Sequence, residues 1–202
     1  MDLSELKKEQ VKLASRISLQ DGFSSISTIG GAACVQVGDK LAGAVVVCEF
    51  PSLKLIEKQT FVLSDPLPHK PGFAAYREMP ALIEAFNKLE KEPDVLLVEG
   101  EGIAHLRRIG IASHLGLVLN IPTIGVADKL SIGAVKEGKI IVDLEVLGFE
   151  IKTREHSNPV YASPGHLISL GSVLNILKQT IVYPHKMPEP LHLASKIARK
   201  VK

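Results

Sequence analysis

The sequence predicts one α/β domain, a mixed central sheet with flanking helices. Three observations carry that reading. Three β-type runs follow one another over 26–37, 41–50 and 53–63. A strand, a helix and a strand then alternate between 95 and 127, the order of a parallel crossover. The composition is aliphatic, 46% hydrophobic with only 4% aromatic, so Val, Ile, Leu and Ala must pack the core. A length of 202 residues fits a single domain spanning 1–202 and is enough to bury a core without staples.

Leu3, Leu6, Val11, Leu13, Ala14 and Ile17 have the spacing of an amphipathic helix, placed at about 3–19 and broken by Asp21-Gly22. The three β-type runs come next. Gly38-Asp39 and Pro51-Ser52 separate them as turn signals, giving an antiparallel meander. Residues 64–72 form a proline-rich loop. Tyr76, Met79, Leu82, Ile83, Phe86 and Leu89 then fall on one helical face, and Pro80 fits only the first turn of that helix. Val95–Val98 is a short apolar run of the kind buried on both faces. The reading continues with a helix from about His105 to Leu119, a strand from Ile121 to Ala127 and further β structure over 130–163, turning at Glu137-Gly138. A helix over 168–178 and a last basic helix at about 190–202 complete it. A meander followed by alternating helices and strands matches the ribonuclease-H-like architecture.

Cys34 and Cys48 fall on neighbouring strands of one hairpin but not opposite each other. They read as two small buried thiols of a cytoplasmic protein rather than a disulfide. No apolar run reaches the length of a membrane span, and the first residues lack the basic-then-apolar pattern of a signal peptide. The net charge of +2 does not by itself announce a nucleic-acid binder. The basic stretch from Lys196 to Lys202 reads as a solvated, partly frayed tail.

Glu99 ends a buried strand and opens into a Gly-flanked loop, where open α/β sheets build their sites. Glu78 lies early in a helix beside its apolar face. Either carboxylate alone reads as structural; both together, with His105 nearby, point to a site. His105-Leu106-Arg107-Arg108 is placed at a helix start, where cations are disfavoured unless an anion compensates. Two readings balance there: a bound phosphate, or pairing with Glu101 or Glu99. His166, after Pro164-Gly165, reads as a residue just before a helix. The other histidines carry no distinguishing context.

Residues 73–82 (FAAYREMPAL), 94–110 (DVLLVEGEGIAHLRRIG), 112–114 (ASH), 121–127 (IPTIGVA) and 163–169 (SPGHLIS) resemble, in order and spacing, the motifs of the endonuclease V family. The resemblance runs over roughly 26–180. It implies a ribonuclease-H-like fold and Mg²⁺- or Mn²⁺-dependent cleavage of DNA or RNA near a deaminated purine, hypoxanthine. It also implies a proline-rich wedge loop and a pocket for the flipped base. Carried over by position, Glu78 keeps the catalytic glutamate, Glu99 replaces a metal-binding aspartate, and His105 and His166 match family histidines. His69, Pro71, Gly72, Gly100, Gly102, Arg107 and Arg108 are the substrate-binding candidates.

Four positions depart from the pattern. Ala33 stands where the first strand carries an aspartate ligand, and Asp128 where a lysine is expected. His69 replaces the wedge tyrosine, and Gly171 replaces an acidic residue. Hard cations need several oxygen ligands, so the resemblance with these losses implies reduced or absent turnover. A counter-reading has Asp128 complete a relocated metal set with Glu78 and Glu99, with Lys129 as the replacement cation. Three classes stay open: an inosine-directed nuclease, a non-catalytic binder of such nucleic acid, and a protein-interaction module. The sequence does not fix DNA against RNA or the oligomeric state.

Overall fold

The structure, a computed structural model, describes residues 2–201. The outer ends of the predicted domain and of the predicted C-terminal helix, Met1 and Lys202, lie outside the described residues. Helix α1 (Leu3–Ala14) ends at Ser15, earlier than its apolar spacing predicts. The meander is present as β1 (Thr28–Val37), β2 (Lys40–Glu49) and β3 (Leu55–Leu63), all antiparallel. Cys34 pairs across with Gly43 and Cys48 with Ile29, so the thiols are offset as predicted and both are free.

Helix α2 (Ala74–Phe86) follows. Pro80 sits in its second turn, not its first, on the exposed side. Strand β4 (Val95–Glu99), helix α3 (Ile111–Leu119) and strand β5 (Thr123–Ala127) form the parallel crossover. The chain then adds β6 (Ala134–Lys136), β7 (Lys139–Val142), β8 (Glu145–Ile151), β9 (Val160–His166), α4 (Leu170–Lys178) and α5 (Glu189–Ala198). The nine-stranded mixed sheet has the order β3-β2-β1-β4-β5-β9-β8-β7-β6, with β4 parallel to both β1 and β5. This is the ribonuclease-H-like arrangement.

Period-two alternation explains the layers. Ile29, Ala33, Val95, Leu97, Ile124 and Val126 face α4 and α5. Ala32, Val45, Leu96 and Val98 face α2 and α3. One carboxylate ties the start of β1 to β4: Asp94 Oδ2 accepts from the backbone N–H and the hydroxyl of both Ser27 and Thr28, at 2.8–3.1 Å. Among the described residues, no helix is long and apolar enough to cross a membrane.

Three expectations are corrected. Residues 105–110 do not open a helix. The chain is held there by tertiary backbone bonds, Ile103 N–H to Pro164 O at 2.8 Å and Gly110 N–H to Gly102 O at 2.9 Å, and Arg108 adopts φ +58°. Pro164-Gly165-His166 is the end of strand β9, not a turn before a helix. The C-terminal helix ends at Ala198, short of its predicted reach to 202; Ala198 is buried against the sheet, while Lys196, Arg199 and Lys200 point to solvent as expected of that stretch.

Candidate functional site

A cleft of about 330 Å³ opens at the C-terminal ends of β4 and β5, within the roughly 300–1,000 Å³ range of ligand sites. Its polar lining is His69, Glu78, Glu99, Glu101, Asp128, Lys129 and Ser131; Cys34, Ala74, Ile111 and Ala127 supply apolar wall. Strand β4 delivers Glu99 from its last position. Helix α2 brings Glu78 over the sheet edge. The proline-rich loop carries His69 to the mouth, with His69, Lys70 and Pro71 all exposed.

The parallel register pairs Ala32 with Val98, so Ala33 and Glu99 come next, side by side on the face toward α5. Ala33 is 1% exposed and packs with Leu191 and Ala194. From α5, Ser195 donates its hydroxyl to Glu99 Oε2 at 2.6 Å. Burial raises the Glu78 carboxyl to about 7; Arg77 opposes that rise and Glu99 adds to it. Burial also pushes the Cys34 thiol well above its ordinary value, with Glu78 and Glu99 adding to the effect, so this wall holds no thiolate. Ser131 donates to Glu101 on the opposite rim.

His105 does not line the cleft but lies behind its lining residue Glu101. It is buried, with Nε2 3.2 Å from the Gly72 carbonyl and 4.0 Å from Glu101 Oε2. Burial lowers its pKa, and Arg107 adds to that, against the opposite pull of Glu101. His166 does not join the group. It pairs with Thr123 at the other end of β5 from Ala127, and its Nδ1 accepts from Ser18 N–H at 3.2 Å. Four residues of strand, about 13 Å, separate the two ends. Gly171 lies exposed in α4 with open space around it.

The arginines are engaged elsewhere than either reading placed them. Arg107 donates to Gln10 Oε1 at 2.6 Å and to Gly72 O at 2.6 Å, and lies 4.6 Å over the Phe73 ring. Arg108 pairs with Glu145 at 2.9 Å. Gly102 packs closely against β9: a Cβ there would stand 2.1 Å from Pro164 O. Gly72 has φ +76°, a left-handed turn that favours glycine. Gly100 lines the cleft.

The predicted metal set does not assemble. Among the described residues, no three or more His, Cys, Asp and Glu side chains are grouped to hold an ion. Asp128 is exposed at the rim, Glu99 is capped by Ser195, and the site beside Glu99 offers only the Ala33 methyl. Glu78, Glu99 and Asp128 all line the cleft, but as placed they do not form a ready-made group of three ligands.

Sequence reasoning missed Gln10, Cys34, Glu101 and Ser195. A signal existed for Ser195, which shares the apolar stripe Leu191, Ala194, Ala198 of α5. Gln10 had a like signal, since it falls in the stripe Leu3, Leu6, Leu13 of α1.

Comparisons with known proteins show the family and the fold. The sequence profile of the family described as Endonuclease V matches residues 11–196. Endonuclease V of Dictyoglomus thermophilum is 36% identical over 204 residues, 97% of this chain and 89% of the relative. The catalytic domain of human endonuclease V superposes with a TM-score of 0.88 at 29% identity, covering 98% of this chain and 94% of that one. Ciona intestinalis endonuclease V, solved with a 24mer DNA containing an inosine followed by a ribo-adenosine, gives 0.87 at 27% identity, covering 98% and 96%.

Proposed function

The chain belongs to the endonuclease V family, and from that premise we propose that it engages DNA or RNA carrying a deaminated purine while cutting it slowly or not at all. The observation that carries this reading is Ala33, a buried methyl beside Glu99 where a metal-holding site needs oxygen. Glu78 and Glu99 alone give Mg²⁺ or Mn²⁺ a weak hold. Binding needs other groups. An unstacked base enters the cleft beside Gly100, and the exposed His69 stacks on a neighbouring base. Lys129 at the rim and Lys70 in the loop meet phosphates, because Arg107 and Arg108 already have partners. Few cations and four lining carboxylates predict modest affinity that weakens with salt. We place the protein in the cytoplasm with its thiols free.

The test has two arms. Nicking of inosine-containing single-stranded DNA and RNA is measured with Mg²⁺ and with Mn²⁺, and fluorescence anisotropy compares inosine and unmodified oligonucleotides in EDTA across a salt series. Weak or undetectable nicking with inosine-preferring binding in EDTA is expected. Cleavage at rates like those of intact family members overturns the catalytic half. Absence of binding at low salt overturns the nucleic-acid half.

A further inference from the structure

Helix α1 buries one side chain completely, and it is a glutamine. Gln10 is 1% exposed while Val11, next to it, is 60% exposed. Helices ordinarily dock through an apolar stripe, because removing apolar surface from water is what stabilises the contact. A buried amide is tolerated only with its hydrogen bonds made. Those of Gln10 are made to two segments at once. Nε2 donates to the Gly72 carbonyl at 3.1 Å, and Oε1 accepts from Arg107 Nε at 2.6 Å.

The Gly72 carbonyl is the meeting point. Arg107 Nη2 donates to it at 2.6 Å. His105 Nδ1 accepts from the Arg107 N–H at 3.2 Å, so the ring proton is on Nε2 and is also directed at Gly72 O, at 3.2 Å. At the other end of the same loop, Arg77 Nε donates to Leu67 O at 2.9 Å. Between these two anchors, residues 68–71 are exposed, and they include His69 at the cleft mouth. The loop is a span tied at both ends, and α1 supplies part of one tie.

We infer that Gln10 is a positioning residue for base recognition: with Arg107 it clamps the Gly72 carbonyl and so fixes the span that carries His69 over the cleft. This rests on the proposed nucleic-acid binding. Gln10 touches no ligand. It acts by ordering the loop before the strand arrives, so that less freedom is lost on binding. Phosphate attraction depends on other residues, so the clamp governs selectivity and not overall affinity.

The experiment compares Gln10→Leu, which keeps the size and removes both hydrogen bonds, with Gln10→Glu, which keeps the acceptor for Arg107. Anisotropy in EDTA reads binding to inosine and unmodified oligonucleotides. The chain has no tryptophan, so His69→Trp, added to each background, reports loop motion by time-resolved fluorescence without nucleic acid. For Gln10→Leu we expect inosine preference to fall about fivefold, the worth of one net hydrogen bond. Affinity for the unmodified strand and its salt slope should be unchanged, and the tryptophan should rotate more freely. Gln10→Glu should recover part of both effects. Unchanged preference and unchanged tryptophan motion overturn the inference, and so does an equal loss on both strands. Should the leucine variant not fold, Arg107→Lys, which retains charge but not the two-point donation, must show the same selective loss. Should the parent protein bind neither strand, the functional reading falls, and the tryptophan signal alone decides whether Gln10 holds the loop.

Discussion

Behind the cleft wall that carries His69, where the proline-rich loop meets residues 105–110, one carbonyl oxygen collects donors from Gln10, Arg107 and His105. On the opposite wall, Glu99 has the Ser195 hydroxyl on one side and the Ala33 methyl on the other. The first wall is a closed polar network, in which each buried group supports its neighbours. The second is finished like a hydrophobic core, with Ala33 packed on Leu191 and Ala194. Carboxylates grouped around a metal are stable only with the metal's charge among them. Replacing one by a packed methyl removes that dependence and the site together. The shape that would receive a strand is therefore maintained independently of the donors that would cut it.

The strongest way to break this contrast is Ala33→Asp. It puts a carboxylate at a position 1% exposed, beside Glu99. In EDTA the variant should lose about 3 kcal/mol or more, the scale of an uncompensated buried charge. Mn²⁺ should restore part of its Tm while leaving the parent's Tm unchanged. Nicking should remain well below that of intact family members until Asp128→Lys supplies a cation to balance phosphate charge. A variant as stable as the parent in EDTA, with no response to Mn²⁺, means the second wall is not the closed core described here.

Glu78 sharpens the same contrast through pH. Its folded pKa is raised from 4.5 to about 7, chiefly by burial. The folded state therefore holds the proton more tightly, and stability is present below about 4.5 and lost as pH rises through about 7. Glu78→Gln removes that loss. It should match the parent near pH 4.5 and exceed it at about pH 8.5 by an amount on the order of 3 kcal/mol. Urea melts at the two pH values measure it; a constant difference would place the ionised carboxylate in a better solvated setting.

The sequence made the sheet legible where burial is continuous. Val95–Val98 and Ile121–Ala127 read as central strands because nothing charged interrupts them, and the meander read correctly from its turns. It misled where distant backbone overrides local pattern. The run from His105 to Leu119 has helical spacing throughout, yet residues 102–110 are tied to Pro164 and to each other before α3 begins. His166 looked like a pre-helix residue because nothing local shows that Thr123 Oγ1 accepts its N–H at 3.0 Å inside the sheet. Glu78 and Glu99 were found from their places at a helix start and a strand end, and the family motifs mark them too. Gln10 and Ser195 were not, since their partners lie 62 and 96 residues away, and a polar residue inside an apolar helical stripe does not say what it pairs with.

The smallest expected effect separates the two adjacent arginines. Read as a pair at a helix start, Arg107 and Arg108 both look like phosphate ligands. In the fold they do different things: Arg107 joins the Gly72 clamp, whereas Arg108 reaches Glu145 on β8 in an ion pair whose side chains are 36% and 58% exposed. Exposed pairs of this kind contribute about 0.2–1 kcal/mol, because water screens the attraction and both side chains lose freedom. Arg108→Ala should therefore lower stability by less than about 1 kcal/mol, and should leave the salt slope of oligonucleotide binding unchanged. A slope reduced by about one would instead assign Arg108 a phosphate contact, and the 105–110 segment would then belong to the binding surface as well as to the clamp.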